Sequence, residues 1–143
     1  MGINWRPGMN SLLFAYGSLK RGGAFYHLIQ KEIDVVSSYQ SGSEKFFVRG
    51  ILIDLGKYPG LVPGNGQVWG ELFSITDEGL QICHRIEGYK PRATSLYYPI
   101  LQPVYNEHGA ALGGQAIVYF YNICDVDFNW NNCNLEVETS QIS

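Results

Sequence analysis

The fold is predicted best from one stretch, Ser11-Leu12-Leu13-Phe14-Ala15-Tyr16-Gly17-Ser18-Leu19-Lys20-Arg21-Gly22-Gly23. Its first half, residues 11–16, is an apolar run that ends at Gly17, which indicates a buried first strand. The Gly-Ser segment that follows can leave successive backbone N–H groups unpaired at the strand's end. Such a cluster binds anions, and a carboxylate suits it. Taken alone, the same residues are also typical of a simple turn.

The composition indicates one folded domain. Apolar residues make up 45% of the 143-residue chain and charged residues 16%, so the chain can enclose a core and disorder is not expected. Ten tyrosines and seventeen glycines favour strands and tight turns over long helices. We predict a single domain over residues 1–143, with its core at about 11–122, a disordered start over the first ten residues and a polar tail at 123–143.

Charge and hydropathy restrict the partners. The net charge is −3 without a basic cluster, which argues against nucleic acid and favours a small ligand. No segment resembles a signal peptide or approaches the roughly 18 apolar residues of a membrane span. We therefore expect a cytoplasmic protein with no membrane partner, and the sequence does not predict its oligomeric state.

The three cysteines, Cys83, Cys124 and Cys133, do not indicate a disulfide framework or a metal site. They form no CxxC pair, and their number is odd. Combined with His84 and His108 they match no standard zinc-ligand spacing. Buried or incidental thiols are the better interpretation, and no metal is predicted.

Periodicity and chain-breaking residues predict the secondary structure. Residues 56–66 contain four glycines and two prolines, which predicts a loop, long enough to favour a binding role. Gly70 within a strand predicts a bulge or a close backbone approach. The predicted strands are 11–16, 35–42, 46–54, 68–75, 97–105 and 114–122, and the predicted helices are 24–33, with Phe25, Leu28 and Ile29 on one face, and 77–87. This order is not a regular βαβ alternation, so we predict an α+β domain or a mixed-sheet barrel.

Glu87 is the most unusual residue of the second predicted helix, which Thr76 caps and Gly88 ends. At 100° per residue it lies between Cys83 and Leu80 on the apolar arc, whereas His84 falls on the opposite, polar arc. Burial and the negative end of the helix dipole both raise the pKa of a carboxyl group there, towards the range of a general acid–base. Alternatively, the chain bends at Gly88 and Glu87 reaches solvent.

Two other chemistries are not supported. Ser18 lies in Tyr-Gly-Ser-Leu rather than in a GxSxG elbow, and His27, His84 and His108 stand in no helpful context for a serine nucleophile. A phosphate loop is excluded because the segment Gly17 to Gly23 lacks the Gly-Lys-Ser/Thr ending.

The order of these features resembles the gamma-glutamylcyclotransferase-like family over roughly residues 12 to 122. The stretch Phe14-Ala15-Tyr16-Gly17-Ser18-Leu19-Lys20-Arg21-Gly22 is similar to the family's opening signature, and Ile86-Glu87-Gly88-Tyr89 resembles the block that holds its catalytic acid. The remaining similar blocks are 50–62, 68–73 and 115–122. One block departs from the pattern: Leu96-Tyr97 can be matched, but Pro99 stands where arginine is usual.

The resemblance implies a small mixed β-barrel with short flanking helices and a cavity at one end. It also implies an enzyme that cyclises a γ-glutamyl amine or amino acid to 5-oxoproline and releases the amine, without metal or cofactor. Glu87 would be the general acid–base, and the substrate would be held by Tyr16, Gly17, Ser18, Leu19 and Tyr97. Because Pro99 alters the leaving-group side, a binding or regulatory module that keeps the pocket without turnover is the alternative. A purely structural domain would require Glu87 to face solvent.

Overall fold

The computed structural model describes residues 9–37, 42–56, 59–91 and 95–122. The first eight residues and the tail from residue 123, with Cys124 and Cys133, lie outside the described residues. The described residues form six strands and two short helices, in the order β1 (Met9–Ala15), α1 (Tyr26–Ile29), β2 (Ile33–Val35), β3 (Phe46–Asp54), β4 (Pro59–Thr76), α2 (Asp77–Ile86), β5 (Tyr97–Asn106) and β6 (Ala111–Tyr121). The domain is α+β, as predicted.

The strands form a ring. Their order in the sheet is β1-β6-β5-β3-β4-β2, and an additional β1–β4 pairing joins the two sides. The long strand β4 makes this closure possible, because its first part pairs with β3 and its last part, from Glu71 to Thr76, pairs with β1. The small mixed β-barrel predicted from the resemblance corresponds to this ring of strands.

Neighbouring residues of the central strands face two different apolar clusters. Phe14 belongs to one cluster with Leu72 and Val118, whereas Leu13 belongs to the other with Phe73 and Cys83. Because side chains alternate between the faces of a strand, β1 is buried on both sides and its sequence is a continuous apolar run. The ring therefore packs on both of its faces here.

The predicted loop over residues 56–66 is wrong from Pro59 onward, because β4 begins there. The pairing with β3 jumps from Arg49↔Gln67 to Ile51↔Val62, so Gly50 alone stands opposite residues 63–66. Proline at the first position of a strand loses no ladder hydrogen bond, and the glycines permit close contact. A Cβ added at Gly66 would lie only 2.7 Å from the Gly50 carbonyl oxygen. Local composition predicted a loop here and missed the long strand that includes these residues.

The first helix is shorter than the predicted 24–33. It consists of Tyr26–Ile29 followed by a 3-10 turn at Gln30–Glu32. The predicted apolar face is wrong for two of its members, since Phe25 is 42% exposed and Leu28 46% exposed, while Ile29 is fully buried. Phe25 precedes the helix, and Tyr26 instead packs its ring against Phe73 at 6.0 Å. Strand β2 likewise ends at Val35 instead of spanning 35–42, of which residues 38–41 lie outside the described part.

The second helix and the following hairpin agree with the prediction. The Thr76 hydroxyl accepts from the Gly79 N–H at 3.0 Å, and Gly88 ends the helix with a φ of 69°. Strands β5 and β6 pair from Tyr97↔Tyr121 to Tyr105↔Ala111. Within the described residues β5 pairs with β3 only near Tyr105, so Pro99 lies at an edge of the sheet.

The predicted close backbone approach at Gly70 is confirmed. A Cβ at this position would lie 2.4 Å from the Ala15 carbonyl oxygen and 2.7 Å from Cζ of Phe14. Strand β4 therefore comes very close to the end of β1, directly before the loop that begins at Tyr16.

Candidate active site

A cavity of about 590 Å³ opens at one end of the ring. The loop after β1, the C-terminal end of α2, the start of β5 and Tyr119 of β6 form its walls. All the residues predicted for the site line this one cavity, namely Tyr16, Gly17, Ser18, Leu19, Glu87 and Tyr97. Residues 56–66 were predicted to favour a binding role, and of these Pro59 lines the cavity.

The loop after β1 is held in place by its carbonyl groups and by Arg21. The Ser18 carbonyl accepts from the Phe25 N–H at 2.9 Å, and the Gly17 carbonyl accepts from the Lys20 N–H at 3.2 Å. Arg21 donates to Glu71 through its backbone N–H at 2.6 Å and through Nε at 2.8 Å. Glu71 follows Gly70 in β4. The close approach of β4 to β1 and the Arg21–Glu71 ion pair therefore hold the loop at neighbouring positions of β4.

The N–H groups of this loop are the candidate anion site. Within the described parts of the chain, the N–H groups of Gly17, Ser18 and Leu19 donate to no backbone acceptor. A row of free N–H groups after a strand binds a carboxylate without a cationic side chain. Arg21 does not supply that charge here, because its guanidinium is paired with Glu71 and Glu44.

Glu87 lies at the C-cap of α2 and faces the cavity. Burial raises the pKa of its carboxyl group from 4.5 to about 7. Its negative charge in turn contributes to raising the pKa of Tyr16, Cys83 and Tyr119, which shows how near these groups lie. Of the two orientations that the sequence left open, the structure has the inward one.

Three tyrosines line the cavity together with Glu87. Tyr16 donates its hydroxyl to the Tyr119 carbonyl at 2.6 Å, and Tyr97 donates to the Pro59 carbonyl at 3.0 Å. The Tyr119 hydroxyl lies 2.6 Å from Nδ1 of His84. Burial is the main cause that raises the pKa of Tyr16 and of Tyr119, so both keep their protons near neutral pH.

Sequence reasoning missed Tyr119 and His84. Tyr119 lies in the similar block 115–122, but its side-chain direction depends on the β6 register. His84 was assigned to the polar arc of the helix, yet it is half-buried because the Tyr119 side chain reaches it from the neighbouring strand. The alternation Val118-Tyr119-Phe120 was the available signal, since it sends Tyr119 to the face opposite its neighbours.

The described residues contain no group of three or more side chains arranged to hold a metal ion. Cys83 is a free buried thiol, and burial raises its pKa to about 12. Among the helices the structure describes, none has the length and apolar character needed to cross a lipid bilayer.

The fold and the cavity define a small α+β protein with one candidate small-molecule site at the end of a ring of strands. The model of the family described as "Gamma-glutamyl cyclotransferase, AIG2-like" matches residues 13–136, and the chain belongs to this family.

Two curated relatives are similar in sequence. Over 109 residues the chain is 33% identical to the "Gamma-L-glutamyl-butirosin B gamma-glutamyl cyclotransferase" of Niallia circulans, which covers 75% of this chain and 65% of that protein. Over 72 residues it is 32% identical to a "Putative gamma-glutamylcyclotransferase" of Vibrio cholerae serotype O1, covering 50% of this chain and 57% of that protein. The chain thus spans less than two thirds of the length of either relative.

Solved structures share the fold. An AIG2-like protein from Mus musculus matches with a TM-score of 0.57 at 19% identity, covering 77% of this chain and 76% of that chain. An uncharacterized protein from Pyrococcus horikoshii matches with a TM-score of 0.56 at 17% identity, covering 78% of each chain.

Proposed function

We propose that the protein is a gamma-glutamyl cyclotransferase in which Glu87 is the general acid–base. One observation carries the proposal: a carboxyl group with a pKa of about 7 shares a cavity with the loop from Gly17 to Leu19, whose N–H groups donate to no backbone acceptor among the described residues. An intramolecular cyclisation needs an orientated substrate and one proton carrier. The loop and Glu87 provide these two elements.

The substrate is a γ-glutamyl amine or amino acid, bound with its α-carboxylate at the loop N–H groups. Glu87, as carboxylate, takes a proton from the α-ammonium group, and the freed amine attacks the γ-carbonyl carbon. The new C–N bond closes the five-membered ring. The tetrahedral intermediate then collapses: Glu87 returns its proton to the leaving nitrogen as the bond to that nitrogen breaks. The second of the two protons on the ring nitrogen passes to the released amine, which leaves as its ammonium form. The products are 5-oxoproline and the free amine, and neither water nor a cofactor is consumed.

The test is release of 5-oxoproline from a panel of γ-glutamyl amines and γ-glutamyl amino acids. Glu87→Gln keeps the shape of the side chain but cannot accept the proton, so we expect kcat to fall roughly 100- to 10,000-fold. The matched control is Glu78→Gln, an exposed carboxylate in the first turn of the same helix, which should retain wild-type turnover. Undiminished activity of Glu87→Gln would contradict the assigned role.

The second candidate is a binding module that keeps the pocket without turnover. Pro99 favours it, because the resembled family usually has arginine there and the leaving-group side is altered. Pro99 is held in the ladder opposite Tyr119, a cavity residue. Calorimetric binding of 5-oxoproline, lost on substitution Gly17→Val, with no turnover across the panel would support this candidate over the enzyme.

A further inference from the structure

Tyr119 differs from the other two cavity tyrosines in the partner of its hydroxyl group. Tyr16 and Tyr97 each donate to a backbone carbonyl, at 2.6 Å and 3.0 Å. A carbonyl only accepts, so the direction of both hydrogen bonds is fixed. The hydroxyl of Tyr119 instead lies 2.6 Å from His84 Nδ1, a ring nitrogen that donates or accepts according to its tautomer.

His84 is held against Tyr119 by packing as well as by this contact. Its ring packs edge-on against Tyr119 at 5.7 Å between centroids and against Tyr89 at 5.0 Å. It lies three residues before Glu87 on α2, and residues three apart are neighbours on a helix surface. Tyr119 thus lines the cavity together with Glu87, whereas His84, the partner of its hydroxyl group, is not among the lining residues.

The protonation states of the pair select one direction for its hydrogen bond. Burial lowers the pKa of His84, which favours the neutral imidazole, and burial raises the pKa of Tyr119, so the phenol keeps its proton. A buried phenol O–H requires an acceptor. Nδ1 of a neutral imidazole protonated at Nε2 is that acceptor.

We propose that His84 is a positioning residue for Tyr119 and, through it, for the substrate's α-amino group. This inference rests on the proposed cyclotransferase function. His84 Nδ1 accepts the Tyr119 O–H and fixes the rotation of the hydroxyl. The lone pairs of the phenol oxygen then point to the cavity beside Glu87, where they accept an N–H of the α-amino group.

This arrangement orientates the attacking nitrogen. One N–H donates to Tyr119 and another transfers its proton to Glu87, which leaves a lone pair on the nitrogen directed at Glu87. A turn about the Cα–N bond then brings this lone pair to the γ-carbonyl carbon, while an N–H group stays directed at Tyr119. When the acceptor at position 84 is missing, the hydroxyl rotates and donates into the cavity. The α-carboxylate contacts at the loop from Gly17 to Leu19 are unaffected, so kcat should fall while KM stays nearly constant.

The experiment compares His84→Leu, His84→Asn, Tyr119→Phe and the double variant His84→Leu/Tyr119→Phe, with the panel substrate that wild type turns over best. Loss of one orientating hydrogen bond should lower kcat about tenfold in His84→Leu with KM within about twofold. The amide oxygen of asparagine can replace Nδ1, so His84→Asn should stay within about threefold of wild type. The double variant should be no slower than Tyr119→Phe, because His84 acts through that hydroxyl.

Several results would overturn the inference while the proposed function stands: additive losses in the double variant, His84→Asn as slow as His84→Leu, or a raised KM with unchanged kcat. Nitrogen-15 NMR of the His84 ring shows which ring nitrogen carries the proton. This measurement requires neither turnover nor a folded His84→Leu variant. A proton on Nδ1 in wild type near neutral pH would overturn the inference, and a bare Nδ1 would support it. Absence of 5-oxoproline from wild type across the panel would remove the proposed function itself, and the inference with it.

Discussion

Glu87 experiences two effects that act on its pKa in the same direction. Burial in the cavity wall disfavours the charged form, and its position at the end of α2 adds the negative end of the helix dipole. Tyr16 and Tyr119 both keep their protons, so neither adds a negative charge beside it. A single carboxyl group can therefore change its protonation state near neutral pH.

We predict that kcat/KM rises with pH through about 7, because the carboxylate form of Glu87 is the proton acceptor and its pKa is about 7. Initial rates of 5-oxoproline release from pH 5 to 9 measure this rise of kcat/KM. The residual activity of Glu87→Gln should not rise with pH in this range. A rise centred near 4.5 would instead indicate an ordinary, solvated carboxyl group.

At the scale of elements, the contact between β1 and β4 decides where the loop begins. Gly70 lets the backbone of β4 approach the Ala15 carbonyl, and the next residue, Glu71, holds Arg21 of the loop. Geometry of the loop N–H groups therefore depends on a glycine that does not itself line the cavity.

Gly70→Ala should destabilise the fold by about 1–3 kcal/mol and lower turnover, because backbone and a buried aromatic ring must both move. Urea unfolding and the 5-oxoproline assay measure the two effects. Gly114→Ala is the matched control, since a Cβ there meets nothing within 4 Å and the site is exposed. Equal midpoints for the two variants would contradict the close approach.

The capping hydroxyl of α2 can be tested separately. Thr76→Ala removes the acceptor for the Gly79 N–H and also the hydroxyl that donates to the Glu32 carboxylate, so it should cost about 1–2 kcal/mol of unfolding free energy. Thr76→Ser keeps the oxygen and should cost clearly less. Denaturant titration followed by circular dichroism compares them. If the serine variant loses as much as the alanine variant, the cap is not the source of the effect.

Sequence predicted the elements whose signals are local. The apolar run of β1, the Thr76 cap with Gly88 at the end of α2, and the turn between β5 and β6 each lie within a few residues of what they specify. The pairing of residues 59–62 could not be predicted, because the partners, residues 51–54, lie in another strand.

In the candidate site, too, features with local sequence signals could be predicted and long-range contacts could not. The helix period singled out Glu87 but left open whether its carboxyl group faces the cavity or solvent, and a strand followed by glycine and serine, as at Gly17 to Leu19, is also typical of a simple turn. The contact between His84 and Tyr119 joins residues 35 positions apart and follows from the β6 register. Local periodicity, which put His84 on the polar arc, contains no such information.

At the scale of the whole molecule, the buried carboxyl group links stability to pH. Glu87 binds a proton more tightly in the folded chain, where its pKa is about 7, than at its ordinary value of 4.5. Between these values the folded state holds a proton that the unfolded state has released. The contribution of Glu87 to the unfolding free energy is therefore full below pH 4.5 and is lost as the pH rises to 7.

Relative to wild type, Glu87→Gln should gain stability as the pH rises from 4.5 to 7, by up to about 3 kcal/mol. The lowered pKa of His84 acts in the opposite direction in wild type, and it cancels when the two proteins are subtracted. Urea midpoints at pH 4.5, 6 and 8 give the difference. A difference that does not change with pH would show that Glu87 titrates alike in both states.

The ring also has a consequence for synthesis on the ribosome. Strand β1 is made first, yet its neighbours are the last part of β4 and, through Leu13↔Ile117, strand β6. Because distant pairings form late and domains emerge from the N-terminus, the nascent β1 must wait, with both faces uncovered, until residue 121 has left the exit tunnel. An apolar strand is thus the one that a nascent-chain chaperone would meet, and the pocket cannot form before β6 has been synthesised.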